Sequence, residues 1–230
     1  MKRSVTALAL GLAEHHSLGH DGLVTEFAAI LSTPGVQEVC ELRPHGPGRL
    51  GFMAYHGGNL ELQTDVIAAA AAERSGASYY GVLQPVPMRE HLSSIKVRPA
   101  ESKQLAGFIE YVDVVITIHG FGRRGMFSAL LLGGNNRPLA HHVGATLQRV
   151  LPAYDIITDL EAIPQKLRGL HADNPVNLPR QAGVQIELPP RVRGSSPMWW
   201  DWEGPGLTPH TLSLIDGLVE AATTWPNEPR

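Results

Sequence analysis

Four side chains of the ligand and acid–base types stand where the apolar runs of this chain end. His56 follows "LGFMAY", His119 follows "DVVITI", Glu187 lies in "GVQIEL", and Glu61 comes just after His56, beyond Gly57 and Gly58. In α/β sheets, sites gather at the carboxyl ends of strands, where loops converge. A strand, a turn tightened by two glycines and a helix starting at Glu61 would bring His56 and Glu61 together. Two histidines and one glutamate are a known zinc donor set that leaves a fourth position open. Each residue also has a plainer reading. A histidine after a strand serves as an ordinary hydrogen-bonded turn residue, and an acid at a helix start interacts well with the helix dipole. Burying Glu187 unpaired is costly, so it needs a solvent-facing edge or a functional cavity. The alternation of Val184, Ile186 and Leu188 with Gln185 and Glu187 also fits a half-exposed strand.

Composition narrows what such a site can be. Cys40 is the single cysteine among 230 residues, which excludes an internal disulfide and a thiolate-rich zinc site. Any metal must use carboxylates and the eleven histidines. A formal net charge of −3 gives no electrostatic ground for expecting nucleic acid or an anionic membrane as partner. With 43% hydrophobic and 18% charged residues, the chain has the make-up of a globular protein, and its length suits one domain over residues 1–230. No apolar stretch reaches the roughly 20 residues of a membrane helix. "MKRSVTALALGLAEHH" pairs a basic start with a short apolar run but no small-residue cleavage site, so a cytoplasmic location is expected. Later release of the chain is compatible with that expectation.

The elements that must position these side chains alternate between strand and helix, which argues for an α/β layered domain. Asp21 is expected to cap a helix over 22–31, with Leu23, Phe27, Ile30 and Leu31 on one face. Strands are expected over 35–42, 49–56, 78–84, 113–120, 154–158 and 183–188, and a strand followed by a turn over 126–138. Helices are expected over 60–74, ended by Gly76, and over 101–112 and 139–151. Thr208 and Pro209 start a last helix, a cap followed by a first-turn proline. The stretch 189–206, rich in Pro, Arg and Trp, reads as an irregular surface loop. Its Trp199, Trp200 and Trp202 are read as local packing in preference to an interaction surface.

One rival pattern fails on its own physics. Gly120, Gly122 and Gly125 in "HGFGRRG" have dinucleotide-fingerprint spacing after a strand. That fingerprint must open a helix and be followed by an acid about twenty residues on. Here "GGNNRP" interrupts, and no Asp or Glu occurs between Gly125 and Asp155.

Taken in order, "HGGNLELQTDVIA", "HLSS" at 91–94, "VVITIHGFG", "NPVNLPR" and "GVQIELPPRVR" resemble segments of the poly-γ-glutamate hydrolase family. The resemblance spans about residues 50 to 193. It implies a small zinc enzyme of a group with many phage and prophage members. It also implies a three-layer fold, with a mixed central sheet and helices on both faces, related to zinc carboxypeptidases. By that resemblance His56, Glu61 and His119 are the ligands of one Zn²⁺ per chain, and Glu187 is the catalytic acid/base. Thr64 matches a threonine that supports the glutamate, and His91 matches a substrate-binding or supporting histidine. Three departures stand out: "LELQT" lacks the usual Ile-Glu and Pro-Gly, "NLPR" moves the motif's arginine to Arg180, and "HLSSIKVRP" lacks a Phe-Asp-Glu. They leave the metal set intact and fall on the substrate pocket.

The expected reaction is hydrolysis of γ-glutamyl amide bonds in an anionic, peptide-like substrate, by a monomer or weak homo-oligomer. Arg98, Arg123, Arg180 and Arg193 are the candidates for binding a substrate carboxylate or oxyanion, since the guanidinium fork matches a carboxylate. Two alternatives remain at this level: a zinc amidohydrolase or deacylase acting on a small acylated amino acid, and a non-catalytic descendant that binds metal.

Overall fold

The computed structural model describes residues 26–44 and 49–226. The helix cap expected at Asp21, the apolar Leu23 and the "MKRSVTALALGLAEHH" segment lie outside the described residues. Seven strands form one mixed sheet: β1 (Gln37–Glu41), β2 (Leu50–Gly58), β3 (Ser78–Gln84), β4 (Val114–Gly120), β5 (Ala129–Leu132), β6 (Asp155–Ile157) and β7 (Gly183–Leu188). Their spatial order is β1-β3-β2-β4-β7-β5-β6. The central strands β3, β2, β4 and β7 run parallel, so their carboxyl ends share one edge of the sheet. β1 and β5 pair antiparallel to β3 and β7.

Among the described residues five α-helices accompany the sheet: α1 (Glu26–Leu31), α2 (Thr64–Ser75), α3 (Lys103–Tyr111), α4 (Arg137–Val150) and α5 (Pro209–Thr224). Successive strand residues face opposite layers. Val114, Ile116 and Ile118 of β4 join Val184, Ile186 and Leu188 of β7 in a buried cluster with α2, α4 and α5. Met53, Tyr55, Tyr80, Val82 and Val115 turn the other way and pack with Phe27, Ile30, Leu105 and Phe108 of α1 and α3. Helices therefore cover both faces, the three-layer α/β arrangement expected. Ser102, Asn136 and Thr208 accept from the backbone N–H of Leu105, Leu139 and Thr211, caps worth about 1 kcal/mol each.

Two boundaries differ from expectation where the chain turns most tightly. β2 runs two residues past His56 to Gly58, and α2 starts at Thr64, so Glu61 lies in the turn before the helix. Gly58 (φ 67°) and Gln63 (φ 72°) are left-handed, which closes the turn without helix. At Gly57 an added Cβ would come 2.7 Å from Cβ of Asp65, so only glycine lets β2 pass this close to α2. α4 begins two residues early, at Arg137, because Asn136 caps it. No helix opens after Gly120; turns lead to β5, as the failed fingerprint requires. Among the described residues no helix is long and apolar enough to cross a membrane.

Candidate metal centre

The shared edge of carboxyl ends gathers the chemistry. His56 ends the apolar part of β2, His119 sits near the end of β4, and Glu187 pairs with His119 in register on β7. In β2 the register with β3 slips between Ala54 and Gly57. Consecutive residues Tyr55 and His56 thereby both reach His119: the Tyr55 hydroxyl lies 2.9 Å from its Nε2, and the two imidazole centroids are 5.0 Å apart.

Glu61 is held between the two imidazoles. Its backbone N–H donates to the His56 carbonyl (3.0 Å), and Thr64 donates its hydroxyl to the Glu61 carbonyl (2.7 Å). Thr64 thus ties the start of α2 to the Glu61 turn. Gly120 N–H donates to Oε2 of Glu61 (2.8 Å) and fixes the carboxylate. Oε1 then lies 3.0 Å from Nδ1 of His56, and Oε2 lies 3.3 Å from Nδ1 of His119.

Hydrogen bonding on the far side of the His56 ring decides what its Nδ1 offers. Nε2 of His56 faces the Leu92 carbonyl at 2.9 Å, a group that only accepts, so the proton sits on Nε2 and Nδ1 keeps its lone pair. That lone pair, aimed at the Glu61 carboxylate, is repelled unless a cation lies between them. This donor chemistry fits a metal ion. His91 belongs here too: His56, Glu61 and His91 offer ligand atoms all within 4.8 Å of one another. Its ring centroid is 5.0 Å from that of His56. The resemblance matched His91 to a substrate-binding or supporting histidine, and the structure places it beside His56 and Glu61.

Electrostatics follow from burial. Burial lowers the pKa of His56 below the ordinary imidazole value. It opposes a charge on His119 as well, but the adjacent Glu61 carboxylate prevails and raises it. Glu61 is also buried, yet His119 and His56 hold its carboxyl well below the usual carboxylate range. Glu187 shows the reverse balance: burial, with help from Glu61 and against His119, pushes it up to about 7. Gln185 donates to Oε1 of Glu187 at 2.8 Å. The half-exposed edge that alternation allowed for β7 is not what forms; Gln185 and Glu187 are buried and line a cavity of about 630 Å³ together with His56, Glu61 and His119.

Of the four arginine candidates the structure brings only Arg193 to this centre. Its Nη1 donates to the Leu62 carbonyl (2.5 Å) and its Nε to the Leu188 carbonyl (3.1 Å), tying the Glu61 turn to the exit of β7. Arg180 is a correction: it pairs with Asp113 at 3.2 Å, at the opposite end of β4 from His119. Arg98 and Arg123 are exposed and do not line the cavity. The cavity's cationic side chains are instead Lys166 and Arg168, which sequence spacing did not single out because they sit in an irregular segment. Trp199 packs against His210 and donates to the Arg191 carbonyl, as the packing reading expected, whereas Trp200 is 80% exposed.

A family profile described as poly-gamma-glutamate hydrolase matches residues 37–197. Among solved structures, a bacteriophage poly-gamma-glutamate hydrolase is 18% identical, covering 82% of this chain and 89% of its own, with a TM-score of 0.67. A structure described as YNDL-apo (zinc-free) is 17% identical, covering 82% of this chain and 90% of its own, with a TM-score of 0.64. At such identities the likeness is one of fold. No curated protein sequence matches the chain.

Proposed function

This chain belongs to the poly-gamma-glutamate hydrolase family, and on that premise we propose that it is a zinc-dependent amide hydrolase cutting γ-glutamyl linkages of poly-γ-glutamate. The observation that carries this reading is the convergence of the His56 and His119 Nδ1 atoms on one fixed carboxylate, Glu61. In this reading His56, Glu61 and His119 hold one Zn²⁺, and His91 stands close enough to His56 and Glu61 to join them. Zinc, when bound, lowers the pKa of water toward about 7 and polarises the scissile carbonyl.

The remaining steps belong to the chain's own residues. Glu187 takes a proton from the attacking water and returns it to the departing nitrogen. Gln185 holds its Oε1, which assigns the proton transfer to Oε2. Arg193, with both backbone carbonyls engaged, keeps Glu61 and the end of β7 at a fixed separation. Lys166, exposed on the cavity wall, is assigned to a carboxylate of the anionic substrate. Attraction is then local, since the net charge of −3 does not draw a polyanion from a distance.

Incubation of the purified protein with poly-γ-glutamate tests this reading. The polymer is expected to shorten, chelation to stop the shortening, and added zinc to restore it. An intact polymer beside hydrolysis of N-acyl amino acids would move the substrate to the small-molecule class. Cleavage that persists after complete chelation would contradict the metal assignment.

A further inference from the structure

Three buried side chains outside the donor set connect His119 to Glu187. The Tyr55 hydroxyl meets Nε2 of His119 at 2.9 Å and Oδ1 of Asn174 at 3.2 Å. Asn174 Nδ2 donates to Gln185 Oε1 at 2.8 Å, and Gln185 Nε2 donates to Glu187 Oε1 at 2.8 Å. All five residues are buried.

Backbone groups fix which way each amide points. The Val176 N–H donates to Oδ1 of Asn174 (3.3 Å), so that oxygen cannot be exchanged with the NH₂. The Leu167 carbonyl accepts from Nε2 of Gln185 (3.5 Å), which fixes the second amide. With Asn174 Oδ1 facing it, Tyr55 must donate its hydroxyl proton there, and its oxygen is left to accept from Nε2–H of His119. Every donor therefore points the same way, from the imidazole to the carboxylate. Gly169, at φ 64°, makes room for this: an added Cβ would come 2.6 Å from Gln185 Oε1.

We propose that Tyr55, Asn174 and Gln185 are positioning residues forming a one-way hydrogen-bond chain that sets the His119 tautomer and the Glu187 orientation as one unit. The idea rests on the zinc hydrolase reading for its consequence in catalysis, but not for its geometry. Aligned donors polarise one another. At one end the chain keeps a lone pair on His119 Nδ1, as a ligand requires; at the other it steadies an ionised Glu187.

Asn174→Leu tests this two hydrogen bonds away from His119 Nδ1. Without its acceptor, Tyr55 turns its proton onto His119 Nε2, and the ring proton moves to Nδ1, where Glu61 accepts it. ¹⁵N-histidine NMR of the metal-free protein should report a proton on His119 Nε2 in wild type and none there in the variant, where Nδ1 alone carries one. Zinc affinity should fall about 10- to 100-fold, and kcat should fall with KM little changed. Tyr55→Phe, which removes the acceptor for Nε2–H and keeps the ring, should give the same tautomer shift should Asn174→Leu fail to fold. Unchanged tautomer and zinc affinity in a folded variant would overturn the chain and leave the hydrolase reading standing. A wild type that binds no zinc, beside variants that show the tautomer shift, would overturn the hydrolase reading and leave the chain standing.

Discussion

Ile116 and Thr117 are neighbours on β4, both fully buried, and they face opposite layers. On the Ile116 side, β4 and β7 present aliphatic residues to α2, α4 and α5. On the Thr117 side, β4 ends in His119, and β7 presents Gln185 and Glu187, which line the cavity. The first face is held by volume and best tolerates apolar side chains of similar volume. The second is held by direction, because Gln185 and Glu187 are fixed there by hydrogen bonds with defined donors and acceptors. The difference teaches that burial alone does not mark a structural residue: Glu187, the one buried carboxylate among the described strands, is on the chemical face.

Substitutions on each face can break or sharpen that contrast. The largest effect on turnover is expected from Glu187→Gln, which keeps shape and zinc but removes the proton acceptor, a loss of about 10² to 10⁴ in kcat. Burial raises the Glu187 carboxyl to about 7, and a bound cation beside His119 draws it lower. Since only the ionised form accepts a proton, wild-type kcat/KM should climb with pH through a limb at or below about pH 7. In the variant that limb should vanish from the pH profile. Next, Ile116→Ala should cost about 2–5 kcal/mol of stability, read by denaturant unfolding, while turnover per folded molecule stays near wild type. A stability loss matched by a large drop in kcat would blur the two faces into one. The smallest effect belongs to Thr117→Val. The Thr117 hydroxyl is buried with no hydrogen-bond partner among the described residues, so its removal should be neutral or stabilising by up to about 1 kcal/mol. A clear destabilisation would mean that the hydroxyl takes part in the polar face.

The sequence displayed the two faces unequally. Strands at 78–84 and 183–188 were legible because short runs carrying aromatic or β-branched residues are bounded by Gly and Pro there. The last helix was legible because Thr208 and Pro209 are local signals that need no tertiary partner. His56, His119 and Glu187 could be singled out as polar residues at strand ends. The Glu61 turn was read as helix because left-handed Gln63 is not a glycine and carries no signal of its own. Arg180 and Arg193 looked equivalent, yet Asp113 claims one and the Leu62 and Leu188 carbonyls claim the other. Nothing local distinguishes a guanidinium that meets a surface acid from one buried beside a site. Asn174 and Gln185 were visible only as motif and strand residues; their roles exist through contacts made across about 120 and 10 positions of chain.

The central claim is that His56, Glu61 and His119 meet around a single divalent ion. Zinc analysis of wild type beside a folded His56→Ala/His119→Ala double variant tests it most directly. About one zinc per wild-type chain is expected, with the metal lost from the double variant. Stoichiometric zinc retained without both imidazoles, or a wild type that takes up none, would contradict it.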